Sequence, residues 1–266
     1  MVEIISEKCV GCGLCTRDCL TGNLSVVEGK AVAGNTCIGC GHCFAVCPNK
    51  AVQIPDYPTE GIIEYDELCP SISGEELLNF IKSRRSIRNY QKKVVERETW
   101  EKIFEAGRFT ATAANSQDVK YTVVQDDLET VKKYVWAGMK IISEAMRKTQ
   151  VEDSPFIRQL ESMIGLHERN PEHDPLFFNA PALLIITSAS SLNGGLATSN
   201  IELMAHAEGL GVLISGFIQM ALSKNEAACK YLNVDAKSIC SCLLVGYPAV
   251  EYQRSVQRKA ANIEWK

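Results

Sequence analysis

The chain has 266 residues, a formal net charge of −4 at pH 7 and 46% hydrophobic residues. This length suggests about two domains, and the hydrophobic share is enough to bury a sizeable core. The small negative charge does not indicate a nucleic-acid-binding or membrane-surface protein, and no apolar run reaches the roughly 18 residues of a membrane-spanning helix. We therefore expect neither nucleic acid nor a membrane among its partners.

Eight of the twelve cysteines form one spacing pattern that occurs twice near the amino end. Three cysteines are separated by two residues each, a fourth follows after three more, and the second copy lies 28 residues after the first. This spacing is typical of [4Fe–4S] cubane clusters, in which the fourth cysteine of each copy ligates the other cluster. It predicts one cluster on Cys9, Cys12, Cys15 and Cys47 and a second on Cys37, Cys40, Cys43 and Cys19.

Two other uses of these cysteines fit less well. Disulfides need an oxidising compartment, and a first cysteine at position 9 leaves no room for a signal peptide. Zinc sites more often use two CxxC pairs separated by a longer span. Reduced thiolates point to a cytoplasmic protein, in an oxygen-poor cell.

Residues 1–56 resemble the bacterial two-cluster ferredoxins on this cysteine pattern. Pro48 keeps the proline that follows the fourth cysteine in that family, whereas Leu20 replaces it in the first copy. The change is expected to alter the local turn and not the ligation. A domain of this size is near the lower limit for independent folding, so the clusters would also stabilise it.

A linker is predicted for residues 57–76, because prolines and a glycine oppose regular structure at residues 55–61. The isolated Cys69-Pro70 is assigned to it. Ser73 with Glu76 forms a capping box that starts a helix, and Ser223 with Glu226 is predicted to start another that ends near Leu232. Residues 77–266 then alternate helices with buried strands. Helices are predicted at residues 99–109, 139–148 and 196–208, and strands at 51–54, 121–125, 182–187 and 239–245.

The most basic stretch of this second domain follows its first helix. Three arginines and two serines lie within six residues, and guanidinium groups bind phosphate oxygens in pairs. A solvated basic helix end is the alternative that this stretch alone leaves open. The residues are Ser83, Arg84, Arg85, Ser86 and Arg88.

Residues 77–266 resemble the nitroreductase family through five motifs in order. The motifs are RRSIRNY at 84–90, AANSQ at 113–117, GLG at 209–211 leading to SGF at 215–217, GYP at 246–248, and Arg258-Lys259. The resemblance implies an FMN-dependent reductase with an α+β fold, in which helices flank a central, mostly antiparallel sheet. It also implies a homodimer with FMN at the interface.

The resemblance assigns site residues position by position. Arg84, Arg85, Ser86 and Arg88 would contact the FMN phosphate, ribityl chain or ring edge, and Arg258 and Lys259 would complete the phosphate site. Asn115 would lie near the pyrimidine edge of the isoalloxazine, from the partner subunit, and Ser215 and Gly216 would present backbone N–H groups towards flavin N5. Two positions depart from the family: Asp118 replaces a frequent proline, and Ser215 an acidic residue of some members.

These patterns together predict an iron–sulfur flavoprotein reductase. Electrons would pass from two [4Fe–4S] clusters to FMN and then to a nitro compound, quinone or activated alkene, with an external ferredoxin or another low-potential protein as donor. An electron carrier or redox-sensing adaptor without its own substrate is the alternative, based on Asp118 and Ser215, and an NAD(P)H-dependent flavin reductase is a third. The sequence does not decide whether His167, His173, Phe177 or Phe178 touches a substrate.

Overall fold

The structure is a computed structural model that describes residues 1–65, 71–148 and 154–266. It divides into two compact units, the first made of Met1–Ser71 with Thr112–Ser116 and the second of Ile72–Ala111 with Gln117–Lys266. The boundaries at 56 and 77 stay a prediction, and the grouping of residues 112–116 with the first unit was not predicted. The linker assignment of Cys69-Pro70 lies outside the described residues.

The first unit is built from short elements around a small core. Two antiparallel pairs form, one between its first and last strands and one between the middle two. The core contains apolar side chains together with cysteines of both sets. Its elements are β1 (Glu3–Ile4), α1 (Leu14–Arg17), β2 (Leu24–Val27), β3 (Lys30–Ala33), α2 (His42–Val46) and β4 (Val52–Gln53).

The second unit contains seven helices and four strands among its described residues. They are α3 (Gly74–Ser83), α4 (Arg97–Arg108), β5 (Lys120–Val124), α5 (Leu128–Lys148), α6 (Pro155–Arg169), β6 (Ala182–Thr187), α7 (Ser191–Ala207), β7 (Gly211–Ile214), α8 (Gly216–Ser223), α9 (Glu226–Leu232) and β8 (Ile239–Gly246). No helix in the described parts of the chain is long and apolar enough to span a membrane.

A four-stranded antiparallel sheet organises the second unit, in the order β5-β6-β8-β7. Alternate residues of β6 enter two different cores, since Leu183 and Ile185 pack with α5 and α8 whereas Leu184 and Ile186 pack with α4 and α7. Both faces of the sheet are therefore covered by helices, which explains why every residue of β6 is buried. The predicted α+β class and central antiparallel sheet are confirmed.

The helix N-termini show where the local sequence was sufficient to predict the start of a helix. The capping box at Ser73 is confirmed, because the Glu76 N–H donates to Ser73 Oγ at 3.1 Å and the Ser73 N–H donates to the Glu76 carboxylate at 2.9 Å. The capping box at Ser223 is wrong. Asn225 caps α9 by accepting the Ala228 N–H, while the Ser223 hydroxyl donates back to the Gln219 carbonyl at the end of α8.

The segment expected to be irregular contains more helix than predicted. The helix placed at residues 139–148 begins at Leu128, and α6 was missed although Ser154 caps it and Pro155 occupies its first turn. Likewise α7 begins at Ser191, five residues before the predicted start, and ends before Gly209 as predicted. The capping and first-turn proline at α6 are local signals that could have found it.

We predict that Gly138→Ala lowers the free energy of unfolding by about 1–3 kcal/mol, the usual cost of an overpacked core. A Cβ at Gly138 in α5 would lie 2.2 Å from the backbone oxygen of Ala221 in α8. Denaturant unfolding of the full chain measures this. Gly195→Ala in α7 is the control, because its Cβ would meet nothing within 4 Å and alanine favours a helix. Equal effects of the two changes would contradict the prediction.

Candidate functional site

Two cavities in the first unit collect the eight cysteines in crossed sets. One cavity is lined by three cysteines of the first copy and the last of the second; the other shows the converse. The structure thus brings together the two ligand sets that the spacing predicts. They are Cys9, Cys12, Cys15 and Cys47 in the first cavity, and Cys19, Cys37, Cys40 and Cys43 in the second.

A single metal ion and a four-iron cluster place different demands on four cysteines. Among the described residues, no group of three or more His, Cys, Asp or Glu side chains is close enough to hold one metal ion. A tetrahedral zinc site needs its sulfurs within about 2.3 Å of one centre, whereas a cubane separates its four ligands by the width of the cube. Four cysteines that line one cavity therefore suit a four-iron cluster.

Backbone N–H groups point at several of these sulfurs. The Ala31 N–H donates to Cys9 Sγ at 3.3 Å and the Asn23 N–H to Cys19 Sγ at 3.2 Å. In the second copy the Gly39 N–H donates to Cys37 Sγ and the Ala51 N–H to Cys47 Sγ, both at 3.3 Å. Such bonds stabilise negative charge on sulfur and help to set cluster potentials.

The thiol pKa values reflect the same environment. Hydrogen bonds from the N–H groups of Ala31 and Gly11, with a smaller effect of the Lys30 ammonium, hold the pKa of Cys9 below its usual value. Burial raises the pKa of Cys15 and of Cys43. These two thiols would resist ionisation without a metal, and a metal ligand is deprotonated.

In the second unit the basic segment after α3 lies beside β7. Ser86 forms a parallel bridge with Val212, and the Ile87 N–H donates to the Val212 carbonyl at 3.0 Å. Because β7 leads directly to Ser215 and Gly216, two of the sequence-predicted motifs meet at this point of the fold. The fit of Ile87 also requires Gly211, where a Cβ would lie 2.3 Å from the Ile87 side chain.

Arg84 is engaged by a residue that the sequence did not single out. Its Nη1 donates to Glu202 Oε1 of α7 at 2.7 Å, and both side chains are largely buried. Burial raises the pKa of the Glu202 carboxyl, and the Arg84 guanidinium opposes that rise. Glu202 therefore neutralises much of the charge that Arg84 would offer to a phosphate.

Arg85 is the better placed anion ligand of the pair. Its Nη1 donates to the Arg84 carbonyl at 2.6 Å, which fixes the direction of the guanidinium. Its Nε is buried and has no hydrogen-bond partner within the described residues. A buried donor without a partner costs free energy, so a bound oxygen would satisfy this atom.

The other residues expected at the flavin occupy different surroundings. The Ser215 N–H donates to the Cys242 carbonyl at 2.8 Å, and Ser215 Oγ caps α8 by accepting the Ile218 N–H. The Ser215 N–H is therefore already used within the fold. Of the two backbone N–H groups expected at the flavin, we retain that of Gly216. Arg258 and Lys259 are exposed in a carboxy-terminal segment without regular secondary structure.

Asn115 lies in the first unit. Its Nδ2 donates to the carbonyl oxygens of Ile38 and Gly39, at 3.1 and 2.9 Å.

Asp118 belongs to the second unit and organises the start of α7. Its carboxylate accepts from the Ser188 hydroxyl, the Ala189 N–H and the Asn193 side-chain amide, all at 2.6–2.9 Å.

The sequence left open whether four aromatic residues contact a substrate. Phe177 is fully buried and belongs to a core cluster, with Phe178 packed against that cluster. His167 stacks on Trp136 with ring centroids 4.1 Å apart, whereas His173 is exposed. Phe177 is therefore a core residue.

We predict that Cys47→Ser perturbs the cluster held by Cys9, Cys12 and Cys15 and leaves the other intact, because Cys47 lines the first of the two cavities and not the second. EPR spectra and iron analysis of the reduced protein, purified without oxygen, measure this. Cys240→Ser is the control, because the Cys240 thiol lies in the second unit against the Ser238 carbonyl. Selective loss of the other cluster would show that the ligation is not crossed.

The comparisons with known proteins follow this division of the chain. A family model for a 4Fe-4S dicluster domain matches residues 8–52, and no curated protein matches the chain.

Three solved structures illustrate the fold, all below 25% identity. A nitroreductase with bound FMN from Bacteroides fragilis is 18% identical over 71% of this chain and 98% of its own, with a TM-score of 0.55. One with bound FMN from Desulfitobacterium hafniense is 19% identical over 70% and 97%, with a TM-score of 0.53. An FMN-dependent nitroreductase from Clostridium difficile is 22% identical over 72% and 100%, with a TM-score of 0.52.

The second family match decides the classification. A family model for the nitroreductase family covers residues 81–247, which is more than half of the 266 residues. The matched range runs from the last turn of α3 through the whole sheet to the end of β8. It includes the basic segment, β7 and the start of α8. The chain therefore belongs to the nitroreductase family and carries a 4Fe-4S dicluster domain before its nitroreductase domain.

Proposed function

We propose that this protein reduces a small acceptor, of the class of nitro compounds, quinones or activated alkenes, with electrons that enter through two [4Fe–4S] clusters and leave through FMN. The observation that carries the proposal is the pair of crossed four-cysteine cavities in a chain of the nitroreductase family. When bound, the clusters would exchange single electrons and FMN would deliver a pair.

The residues of the second unit suit a phosphorylated ligand beside β7. Arg85 supplies a buried donor without a partner within the described residues, and Ser86 is fixed next to it by Val212. We propose that these two residues bind the FMN phosphate, with Arg88, Arg258 and Lys259 adding charge. Arg84 would contribute mainly by holding the segment on α7 through Glu202.

The flavin ring would lie near the start of α8. We propose that Gly216 directs its backbone N–H towards the ring, while Ser215 fixes the turn through its bonds to Cys242 and Ile218. A contact of Asn115 with the pyrimidine edge stays a prediction, and its Nδ2 would have to leave the carbonyls of Ile38 and Gly39 to make it.

Exposed apolar side chains in the second unit support a homodimer. The helix α3 is amphipathic but buries none of its residues, and α7 exposes Leu192 and Leu196. Exposed apolar side chains on a helix are often covered by a partner. We propose that a second copy covers it and that FMN lies at this interface. The exposed side chains of α3 are Leu77, Leu78 and Ile81.

The alternative of an electron carrier without its own substrate was based on Asp118 and Ser215, and the structure weakens the argument from Asp118. Asp118 replaces a proline that is frequent in the family, but its carboxylate has a structural task at the start of α7. Its presence is thus explained without a change of function. We propose an external ferredoxin, or another low-potential protein, as the donor to the clusters, because a fused cluster domain would be superfluous to a flavin reduced by NAD(P)H alone.

We predict that Arg85→Gln weakens FMN binding about 10- to 100-fold, because a hydrogen bond to a charged group contributes about 1.5–3 kcal/mol. Titration of the flavin-free protein with FMN, followed by fluorescence, measures the change. Arg97→Gln is the control, since Arg97 is exposed and pairs with Glu101 on the surface of α4. Unchanged affinity in Arg85→Gln would remove this residue from the phosphate site.

The proposed function is tested on protein purified without oxygen. We expect two four-iron clusters and one FMN per chain, and reoxidation of the dithionite-reduced flavin by at least one acceptor of the three classes. Rapid mixing with NAD(P)H is the second arm, and we expect it to leave the flavin oxidised. Absence of FMN or of cluster iron would refute the proposal. A reduced flavin that no acceptor reoxidises would favour the carrier.

A further inference from the structure

The two cluster loops of the first unit have the same backbone but different covers. Gly11 and Gly39 occupy equivalent positions of the 28-residue repeat, with φ values of 67° and 66°. A Cβ at Gly11 would lie 2.2 Å from the Gly29 oxygen, so the turn between β2 and β3 covers the first loop. The second copy has no such hairpin among the described residues.

In the second copy, side chains take the place of the hairpin. Tyr57, 28 residues after Gly29, has its hydroxyl 2.6 Å from where a Gly39 Cβ would be. The Asn115 Nδ2 lies 3.4 Å from this hydroxyl and donates to the carbonyls of Ile38 and Gly39. A segment distant in sequence thus completes the cover of the second loop.

One of the two carbonyls that Asn115 holds belongs to the peptide whose N–H faces a cluster ligand. The Gly39 N–H lies in the peptide whose carbonyl belongs to Ile38, and it donates to Cys37 Sγ at 3.3 Å. Because a peptide is planar, fixing the Ile38 carbonyl also fixes the direction of this N–H. The Asn115 amide therefore controls a hydrogen bond to a cluster sulfur without touching the sulfur.

The backbone of the Asn115 segment is held in a costly conformation. Ala114 and Asn115 have φ values of 51° and 53°, in the left-handed region that costs an ordinary residue about 1–2 kcal/mol. Such conformations persist only where the surroundings determine them. The strain indicates that the position of the Asn115 side chain is specified by its contacts.

The first loop has a counterpart of different chemistry. The Lys30 Nζ donates to the carbonyls of Ser6 and Cys9, at 3.0 and 2.6 Å. The first loop is thus held by a cation from its own hairpin, and the second by a neutral amide from residues 112–116.

We propose that Asn115 is a positioning residue for the cluster on Cys37, Cys40, Cys43 and Cys19. By holding the carbonyls of Ile38 and Gly39, it orients the Gly39 N–H towards Cys37 Sγ and raises the reduction potential of that cluster alone. A donor hydrogen bond stabilises the additional negative charge of the reduced cluster, which raises its potential. The inference rests on the two clusters of the proposed function.

The test is a redox titration of the full-length protein, purified without oxygen and followed by the EPR signals of the two clusters. Asn115→Gly removes the amide while keeping the left-handed backbone accessible. We expect one cluster to become about tenfold less reduced at a fixed applied potential, which is 59 mV for a one-electron couple. Lys30→Met is expected to lower the potential of the other cluster. Asn233→Gly is the matched control, since Asn233 has a φ of 52° in the second unit and should change neither potential.

Each outcome decides the proposal. Unchanged cluster potentials in Asn115→Gly, or a shift of the same cluster that Lys30→Met shifts, would overturn it. Loss of FMN with both potentials unchanged would assign Asn115 to the flavin instead. If Asn115→Gly does not retain iron, Tyr57→Phe takes its place. It should lower the potential of the same cluster by a smaller amount. An unchanged potential in Tyr57→Phe would then overturn the proposal. Missing clusters in the parent protein would count against the proposed function, and unshifted clusters only against this inference.

Discussion

The need to bring eight thiolates into one small unit governs the amino-terminal part of the chain. Burial raises the pKa of Cys15 and Cys43, and thiolates repel one another, so the unit is unfavourable without cations between its sulfurs. Metal binding would offset both effects and is then part of the folding free energy. The N–H groups aimed at Cys9, Cys19, Cys37 and Cys47 follow from the same constraint, because each one stabilises negative charge on a cysteine sulfur.

In the second unit, the main constraint is that a basic segment is held against a rigid sheet. The sheet is covered on both faces, so its strands are fixed, and the bridge between Ser86 and Val212 attaches the segment to one of them. Glu202 then neutralises one arginine, while Arg85 keeps a donor that nothing described in the chain satisfies. Local neutralisation of this kind reduces the repulsion between adjacent guanidinium groups.

Local signals were reliable where the interaction partners are close in sequence. The capping box at Ser73 and the apolar run of β6 were predicted correctly, because a cap joins residues three apart and a strand buried on both faces must be apolar throughout. The same rule failed at Ser223, where Asn225 competes for the same helix start. It also missed α6, whose cap at Ser154 lies in a segment that polar residues and prolines made appear irregular.

The sequence by itself predicted both cluster ligand sets, since the spacing recurs at every cysteine of the two copies. It also determined the central sheet and the family of the second domain. Only the tertiary structure decided how single side chains are used. Arg84 pairs with Glu202, 118 positions away, and Asn115 with Gly39, 76 positions away. The reason is physical: a side chain bonds to whichever polar group the folded chain brings within about 3 Å, and that neighbour depends on the packing of the whole unit.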